Sequence, residues 1–439
     1  MKYTFKQALG WLALYAVIVL SPLVVSMLGP RPAARGFWVE LGAGLGFVGL
    51  GVLCLQFVIT GRFREFAMGF GSDNLLQFHY ASGIVGMFLV LLHPGVLLLA
   101  DAQYLAFFDP RVNFMRSFAL IGATVGVILV VVTSLWRTTF RLIYEWWRLS
   151  HGALAFLIVV AGMVHIVQVG HFTQPWWKQG YIIVLSNAAL LSLLYVRLYK
   201  PLRLKSFPYQ VTEVVKERGD AYSLIIEPID HEGMPFEAGQ YAWITLGETP
   251  FSLQQHPFSF ASSKNHPRRL CFTAKKLGDF TSTWPDVEAG TRAYLEGPYG
   301  AFTIDEDAEA GAVFLAGGVG ITPIMSLLRT LAEDEDPRHF VLFYANKNWD
   351  GVIFREEIEG FKEKLDLDVV HVLEEPPQDW NGESGFVEED VLERHLPDRE
   401  ARYFYYICGP EPMMDLVEST LVNRKIPLPH IMSERFEIV

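Results

Sequence analysis

The chain has 439 residues and is 51% hydrophobic, which is high for a soluble enzyme and predicts two or three domains with membrane spans. Residues 1–205 carry 16 Lys and Arg against 6 Asp and Glu, whereas the rest carries 20 against 42, and this acidity argues against a nucleic-acid partner. Cys54, Cys271 and Cys408 form no CxxC pair, which excludes a disulfide framework and a cysteine zinc site.

Six apolar stretches in the first half each have about the 20 residues that a membrane-spanning helix needs. The first is too long for a signal peptide and is interpreted as an uncleaved helix. An even number of spans returns the chain to its starting side, where the loops are rich in Lys and Arg. The positive-inside rule therefore places both termini and the second half in the cytoplasm, beneath an inner or plasma membrane. The predicted spans are 8–28, 37–59, 78–100, 115–136, 150–170 and 180–199.

The third and fifth spans each contain two histidines that are fourteen residues apart, His79 and His93 in one and His151 and His165 in the other. Fourteen helical residues rise ~21 Å and turn about 1400°, roughly 40° short of four turns, so each pair lies on one helix face. Because the two spans run parallel, His79 is expected level with His151, and His93 level with His165. Two stacked bis-histidine sites of this kind predict two haems held between helices.

Other readings of these spans are weaker. A lone histidine in a span is more often a polar residue satisfied by a neighbouring helix, but packing does not explain four at one repeated interval. Zinc is disfavoured because the ligands pair at two levels and lack the third and fourth donors that zinc requires. His171, beyond the fifth span, is an alternative ligand to His165 or an outer-surface residue. Pro94 should loosen the helix after His93 and help to orient its ring, unless it is an ordinary transmembrane kink. Five glycines would let a porphyrin approach the backbone, although they also serve plain helix packing. These glycines are Gly83, Gly86, Gly95, Gly152 and Gly162.

The second half begins after a basic segment at 200–205 with short alternating runs separated by turn residues, which predicts a small antiparallel barrel. From about residue 311 the order becomes strand, glycine-rich turn, helix and strand, which predicts a doubly wound nucleotide-binding domain. The glycine-rich turn at 317–323 is weak evidence by itself. The acidic run at 305–311 lacks the glycine and glutamate of a calcium loop and is interpreted as a solvated loop.

Several short motifs follow one another in this half, and together they resemble the ferredoxin–NADP reductase superfamily. They are His256-Pro257-Phe258-Ser259, Gly278-Asp279-Phe280-Thr281, Gly297-Pro298-Tyr299-Gly300, the glycine-rich turn, Cys408-Gly409-Pro410 and Glu434-Arg435-Phe436. With the histidine-bearing helices, the full chain resembles the NADPH oxidase/ferric reductase family in its compact bacterial form. The resemblance implies a membrane all-α six-helix haem bundle at 1–205, an antiparallel β-barrel FAD domain at 206–305 and an α/β NAD(P)H-binding domain at 306–439.

The resemblance also assigns residues to the flavin. Pro257 and Phe258 would flank the flavin ring and its ribityl chain, and Ser259 would hydrogen-bond the ring edge near N5. His256 stands where many soluble relatives have arginine. Phe436 matches the C-terminal aromatic that covers the flavin face, although three residues follow it here. The segment that holds the FAD phosphates corresponds to Lys275, Gly278 and Thr281.

For the nicotinamide coenzyme, the resemblance assigns the phosphates to the glycine-rich turn and the nicotinamide to the segment after residue 407. Cys408, Ser259 and Phe436 would then be the residues closest to hydride transfer, although Cys408 also suits a buried strand end. Lys347 is the only cation in the stretch 345–348 and is predicted to pair with a 2′-phosphate, which favours NADPH over NADH. The assigned positions are Gly317, Gly318, Gly320, Thr322, Pro323, Cys408, Gly409, Pro410 and Met413.

The function that the resemblance implies is an NAD(P)H oxidoreductase. Electrons would pass from NADPH through FAD and two b-type haems, at His79 and His151 and then at His93 and His165, to an acceptor across the membrane. Oxygen, reduced to superoxide, is the favoured acceptor, and a ferric chelate or a partner protein is the alternative. A haem sensor is disfavoured because it would leave the flavin and nicotinamide sites idle. The candidate cations for a superoxide site are Arg111, Arg116, His171 and Lys178.

Overall fold

The structure is a computed structural model that describes residues 5–30, 32–64, 69–304, 310–398 and 400–435. It divides into two compact units. One unit contains the described residues between 5 and 64 and between 74 and 200, and it is entirely helical. The other contains 69–73 and the described residues from 201 onward.

Among the described residues, six helices are long and apolar enough to cross a membrane. Three of them begin several residues before the predicted spans, at Ser72, Tyr144 and Trp176. The reason is that hydropathy marks only the part of a helix that hydrocarbon can hold, whereas backbone hydrogen bonds continue into the interfacial region. The six helices are α1 (Phe5–Met27), α2 (Phe37–Ile59), α3 (Ser72–Ala100), α4 (Phe114–Leu135), α5 (Tyr144–Val169) and α6 (Trp176–Leu194).

Helix α2 is the most buried of the six. Its glycines explain this position, because small residues let helix backbones approach closely. A Cβ at Gly51 would lie 2.2 Å from the carbonyl oxygen of Val19 on α1, and one at Gly49 would lie 2.8 Å from Val90 on α3. The second span is therefore the central helix around which α1 and α3 pack.

After α6, one π-helical turn (Tyr195–Tyr199) and a short helix α7 (Lys200–Leu204) lead into an antiparallel sheet with the order β4-β3-β6-β1-β2-β5. An antiparallel bridge between Phe260 and Phe272 links the chain after β4 to β5, so the two edges of the sheet meet as a barrel. Trp284 is fully buried in the barrel core. The strands are β1 (Tyr209–Lys216), β2 (Ala221–Pro228), β3 (Tyr241–Leu246), β4 (His256–Ser259), β5 (Leu270–Lys275) and β6 (Arg292–Tyr299).

The remaining residues form a parallel sheet with helices, in the order β10-β9-β8-β7-β11-β12. The chain leaves β7 for β8 on one side and returns to β11 on the other, so the strand order reverses between β7 and β11. Ligands of open α/β sheets bind at such a reversal point. The strands are β7 (Ala312–Gly317), β8 (His339–Asn346), β9 (Asp366–Leu373), β10 (Glu383–Ser384), β11 (Phe404–Cys408) and β12 (Ile431–Ser433). The helices are α8 (Ile321–Glu333), α9 (Arg355–Phe361), α10 (Glu389–His395) and α11 (Glu411–Asn423).

Helix α8 joins the parallel sheet to the barrel. The Arg329 guanidinium donates to the carbonyl oxygen of Ala261 at 2.7 Å and forms a bidentate ion pair with the carboxylate of Glu357. The Ser326 hydroxyl donates to the carbonyl oxygen of Ser262, also at 2.7 Å. These polar contacts fix the barrel and the α/β domain relative to each other within the second unit.

Candidate functional site

The four span histidines form two pairs between α3 and α5. The ring centroids of His79 and His151 are 6.2 Å apart with an interplanar angle of 63°, and we call them the first pair. The second pair, His93 and His165, has the same separation of 6.2 Å and an angle of 70°. The structure therefore places the four histidines at two levels with closely similar geometry.

Each pair has one histidine that is held through its Nδ1 atom and one that is not. His93 Nδ1 lies 2.7 Å from the carbonyl oxygen of Gly42 on α2. His151 Nδ1 lies 3.1 Å from the hydroxyl oxygen of Ser134 on α4. The Nδ1 atoms of His79 and His165 are buried and have no hydrogen-bond partner among the described residues. Because buried polar atoms are normally paired, these two orphaned nitrogens mark both sites as unusual.

Gly46, one turn beyond Gly42 on α2, packs directly against the imidazole of His93. A Cβ at this position would lie 2.9 Å from His93 Nδ1 and 3.1 Å from its Cγ and Cε1. Only glycine fits here without moving the ring. The sequence-based reasoning missed this role, although small residues at 42, 46 and 49 share one helix face and could have indicated a close packing surface.

The glycines predicted to flank a porphyrin have mixed surroundings. Added Cβ atoms at Gly95 and Gly152 would meet nothing within 4 Å, so these positions can accommodate a flat group. At Gly86 a Cβ would meet Val52 at 3.0 Å, which is helix packing. Gly83 and Gly162 lie 3.8 Å from single side-chain atoms, Gln56 Oε1 and Leu50 Cδ1.

A cavity of about 160 Å³ adjoins the second histidine pair, and most of its lining is apolar. Apart from the pair itself, Arg35 and His171 are its basic lining residues among the described part of the chain. The guanidinium of Arg35 lies 5.2 Å from the centre of the Phe172 ring, and the His171 ring packs edge-on against the same phenylalanine at 4.8 Å. Burial and the positive charge of Arg35 lower the pKa of His171.

The other cations suggested for a superoxide site have different surroundings. Lys178 is fully buried and donates to the carbonyl oxygens of Ser26 and Pro30, where it caps the end of α1. Arg111 is exposed and forms an ion pair with Asp109 at 2.8 Å. Arg116 stacks on the Phe107 ring at 4.1 Å. None of these three lines the cavity, whereas His171 does and Arg35 was not singled out from the sequence.

In the barrel, the residues assigned to the flavin lie on strand β4. The His256 ring packs against Phe280 at 4.7 Å, and Phe258 packs against Phe280 and Trp284 at 5.9 and 4.8 Å. Successive side chains of a strand point to opposite faces. Pro257 and Ser259 therefore face the other way, where Ser259 stands opposite Tyr241 on β3.

Lys275 is the last residue of strand β5, and Gly278 and Thr281 follow the strand. The Thr281 hydroxyl oxygen accepts the backbone N–H groups of Leu277 and Gly278 at 3.2 and 3.1 Å, which closes the turn. Lys275 reaches the glycine-rich turn instead, because its Nζ lies 3.2 Å from the position of a Cβ on Gly318. Burial lowers the pKa of Lys275. Its ammonium group is thus at the junction of the barrel and the α/β domain.

The glycine-rich turn and the segment after β11 meet at the reversal point of the parallel sheet, at the carboxyl ends of β7 and β11. A Cβ on Gly320 would lie 2.2 Å from the carbonyl oxygen of Cys408, and one on Gly317 would lie 2.5 Å from the ring of Pro410. A Cβ on Gly409 would lie 2.9 Å from the backbone nitrogen of Gly317. These glycines are required because the two backbones are in contact.

Helix α8 begins directly after this turn. Gly320 is its N-cap and has no side chain to accept from the first turn. The N–H group of Ile321 donates to the carbonyl oxygens of Gly318 and Val319 within the turn. Gly318 has φ of 54°, which favours glycine. A helix N-terminus of this kind attracts phosphate groups. Thr322 uses its hydroxyl within the turn, where it donates to the carbonyl oxygen of Val319 at 2.7 Å. The ring of Pro323 is buried in the first turn of α8.

Three assigned residues remain. The sulfur of Met413 lies 3.0 Å from the position of a Cβ on Gly317. Phe436 lies outside the described residues, so its predicted role on the flavin face stays a prediction. Lys347 follows strand β8, and its Nζ lies 3.4 Å from a carboxylate oxygen of Glu375, which follows β9. Both side chains are largely exposed. The sequence did not reveal this pairing, because it depends on the register of two parallel strands.

Comparisons with known proteins agree with this architecture. Residues 45–162 match the family described as ferric reductase like transmembrane component, 228–303 match an FAD-binding domain, and 314–419 match an oxidoreductase NAD-binding domain. The reductase component of propane 2-monooxygenase from Rhodococcus jostii is 31% identical over 236 residues, which are 52% of this chain and 62% of that protein. The ferredoxin reductase component of 3-ketosteroid-9-alpha-monooxygenase from Mycolicibacterium smegmatis is 31% identical over 54% of this chain and 67% of that protein.

Among solved structures, the flavohemoglobin of Malassezia yamatoensis aligns over 90% of this chain and 98% of its own, with a TM-score of 0.49 and 17% identity. The ferredoxin reductase in carbazole 1,9a-dioxygenase aligns over 52% of this chain and 69% of its own, with a TM-score of 0.47 and 24% identity. The family matches show a ferric reductase transmembrane domain, followed in the sequence by an NAD(P)H-dependent flavin oxidoreductase module. With these domains in this order, the chain has the domain architecture of the NADPH oxidase/ferric reductase-like family.

Proposed function

We propose that this protein moves electrons from cytoplasmic NAD(P)H, through FAD and two b-type haems, to an acceptor on the other side of the membrane. The observation that carries the proposal is the repeated histidine pair, because two pairs with the same ring separation of 6.2 Å stack between two helices of one bundle. The loop charges support the direction. They put the first pair nearer the cytoplasm, which makes it the inner site and the second pair the outer site.

The histidine pairs fit a haem iron. A metal that is ligated by two imidazoles at roughly 2 Å, with each nitrogen roughly 1 Å from its ring centre, separates the ring centres by roughly 6 Å. Both pairs have this separation. Two histidines are also a ligand set that haem accepts. His79, His151, His93 and His165 are therefore the residues that would hold the two haems.

The reductase module fits FAD and a nicotinamide coenzyme. The uncapped start of α8 and the packed glycines at 317, 320 and 409 form a surface on which a pyrophosphate can lie against backbone N–H groups. Lys275 adds a positive charge beside Gly318. On β4, Ser259 would hold the flavin edge. Flavin supplies the change from two-electron hydride chemistry to the one-electron chemistry of haem.

The chain's own residues would carry out three tasks. The buried glycine-rich turn and Cys408 segment would orient the nicotinamide against the flavin. The aromatic wall of Phe280 and Trp284 keeps water away from one side of β4. Gly42 and Ser134 hold one imidazole at each histidine pair in a fixed orientation. The protein thus supplies position and surroundings, while the cofactors supply the redox chemistry.

For the acceptor we propose oxygen, reduced to superoxide at the outer site. Short outer loops support a small acceptor, because few residues separate α1 from α2, α3 from α4 and α5 from α6. The guanidinium of Arg35 would stabilise an anion formed at the outer site, and the neutral imidazole of His171 would donate a hydrogen bond to it. The alternatives are a ferric chelate, which the transmembrane family description favours, and a partner protein that receives electrons from the haems.

A cytochrome c assay on purified, haem-loaded protein tests the acceptor. If oxygen is the acceptor, superoxide dismutase should abolish most of the NAD(P)H-driven reduction of cytochrome c. Reduction of a ferric chelate that continues at an equal rate without oxygen would instead support the ferric reductase alternative. If NAD(P)H reduces no haem at all, the electron path itself is wrong.

The haem ligands give the first variant test. His165→Ala is expected to lower the haem content from two per chain to one, because the outer site loses one of its two ligands. NAD(P)H should still reduce the remaining haem. Haem quantitation and the optical spectrum of the reduced protein measure both effects. His171→Ala is the control and should retain two haems; loss of a haem from this control would make His171 the ligand.

Coenzyme preference gives the second test. We propose NADPH, with Lys347 as the partner of the 2′-phosphate. Lys347→Ala should raise the KM for NADPH about tenfold and leave the KM for NADH unchanged, since hydrogen bonds to charged groups contribute about 1.5–3 kcal/mol. Glu375→Gln should act in the opposite direction, because it releases Lys347 from its ion pair.

Glu375→Gln should lower the KM for NADPH about two- to threefold, since an exposed ion pair contributes at most about 1 kcal/mol. Steady-state rates of flavin reduction with each coenzyme measure both variants. Equal effects of Lys347→Ala on the two coenzymes would remove the assignment.

A further inference from the structure

We propose that the Ser134 hydroxyl determines the tautomer of His151 and thereby lowers the reduction potential of the inner haem. Ser134 lies on α4, which carries none of the four span histidines. The proposal rests on the proposed function, because it requires a haem between His79 and His151. It assigns Ser134 as a positioning residue, since its hydroxyl acts through His151.

The hydrogen bonds of Ser134 decide which nitrogen of His151 carries the proton. The Ser134 hydroxyl donates its only proton to the carbonyl oxygen of Val130 at 2.6 Å. The same oxygen lies 3.1 Å from His151 Nδ1 and, with its proton on the Val130 carbonyl, accepts at this contact. In the proposed arrangement His151 Nδ1 carries the hydrogen, which leaves the lone pair on Nε2 as the metal-binding atom.

At the second pair a backbone carbonyl accepts the hydrogen bond from His93 Nδ1. The Gly42 carbonyl has no proton to donate, so His93 Nδ1 donates to it at 2.7 Å. The Nδ1 atoms of His79 and His165 have no such partner among the described residues. Each site thus has one anchored imidazole, and the anchor is a side chain only at the first pair.

The physical effect follows from the charge on the ligand. A ligating histidine that donates its second N–H to an acceptor becomes more basic, and the acceptor also fixes the orientation of the ring. A more basic ligand stabilises the more positively charged, oxidised metal, so the hydrogen bond lowers the reduction potential. Removing the Ser134 hydroxyl should therefore raise the potential of the inner haem and leave that of the outer haem unchanged.

Three variants of the full-length protein separate this role from simple packing. Ser134→Ala removes the acceptor, and Ser134→Thr retains a hydroxyl at the same position. Thr133→Ala is the matched control, because the Thr133 hydroxyl also bonds back to its own helix, at the carbonyl oxygen of Leu129, and has no histidine contact in the described structure. Each variant is prepared in the wild-type chain and in the His165→Ala chain, which is expected to retain the inner haem alone.

The measurement is an optical redox titration, with low-temperature electron paramagnetic resonance of the oxidised haem as a second readout. Ser134→Ala should raise the equilibrium constant for one-electron reduction of the inner haem about tenfold, which raises its reduction potential by about 59 mV. It should also change the g values of that haem, because the basicity and the orientation of the imidazole are no longer fixed by the hydrogen bond. Ser134→Thr and Thr133→Ala should titrate like their parents. Loss of the inner haem from Ser134→Ala, with retention in Ser134→Thr, would support the same role.

The proposal is overturned if Ser134→Ala titrates like Thr133→Ala, or if only the outer haem changes potential. A wild-type protein that binds no haem when supplied with it would instead contradict the proposed function. The two failures are therefore distinguishable, because the first requires a bound inner haem and the second shows no bound haem.

Discussion

Gly46→Ala is expected to remove the outer haem and leave the inner haem in place. The added methyl group would lie 2.9 Å from His93 Nδ1 and 3.1 Å from two further ring atoms. The ring cannot retreat freely, because the same nitrogen is hydrogen-bonded to the Gly42 carbonyl at 2.7 Å. Either His93 turns and loses this bond, or α2 and α3 move apart. Both responses displace an imidazole that would hold the outer haem.

Haem content should fall from two per chain to one, and the affinity of the outer site should drop by about 10- to 100-fold, as for other changes next to a metal ligand. Haem quantitation and the reduced spectrum measure the loss. Gly44→Ala is the matched control on the same helix, since its methyl group would meet only a Leu23 carbon at an ordinary 3.7 Å. Two haems in Gly46→Ala, or one in Gly44→Ala, would contradict the assignment of His93.

Gly320→Ala is expected to abolish hydride transfer from NAD(P)H while FAD remains bound. A methyl group here would lie 2.2 Å from the carbonyl oxygen of Cys408 and 2.8 Å from the nitrogen of Gly409. Both neighbours are backbone atoms, so neither can move aside as a flexible side chain would. The glycine-rich turn must shift away from the Cys408 segment, at a cost of about 1–3 kcal/mol for such overpacking. The two segments assigned to the coenzyme then separate.

The rate of flavin reduction by NAD(P)H under anaerobic conditions should fall about 100-fold, since displacement of a binding surface by about 1 Å can have this effect. FAD content and the reduction of the flavin by dithionite should remain normal. Gly360→Ala on α9 is the control, because a Cβ there would meet nothing within 4 Å and alanine is about 1 kcal/mol better than glycine in a helix. Normal reduction of Gly320→Ala by NAD(P)H would contradict the assigned phosphate site.

The features that depend on local sequence could be predicted. The six spans follow from hydropathy, and the stacking of the histidines follows from a repeated spacing of fourteen residues, because helix geometry fixes where such residues lie. The order of motifs in the second half, together with alternation of strands and helices, indicated a barrel followed by a doubly wound sheet. The structure has both, with the strand reversal between β7 and β11.

The tertiary structure alone decided which residues surround these sites. His93 meets Gly42, 51 positions earlier in the chain, and His151 meets Ser134 on a neighbouring helix. No spacing rule predicts such contacts, since they depend on how whole helices are rotated against one another. For the same reason the buried surroundings of Lys178 could not be predicted from the sequence, which placed this residue in a loop before the sixth span. The sequence by itself therefore determined the fold class and the histidine positions, whereas helix packing decided how each imidazole is held.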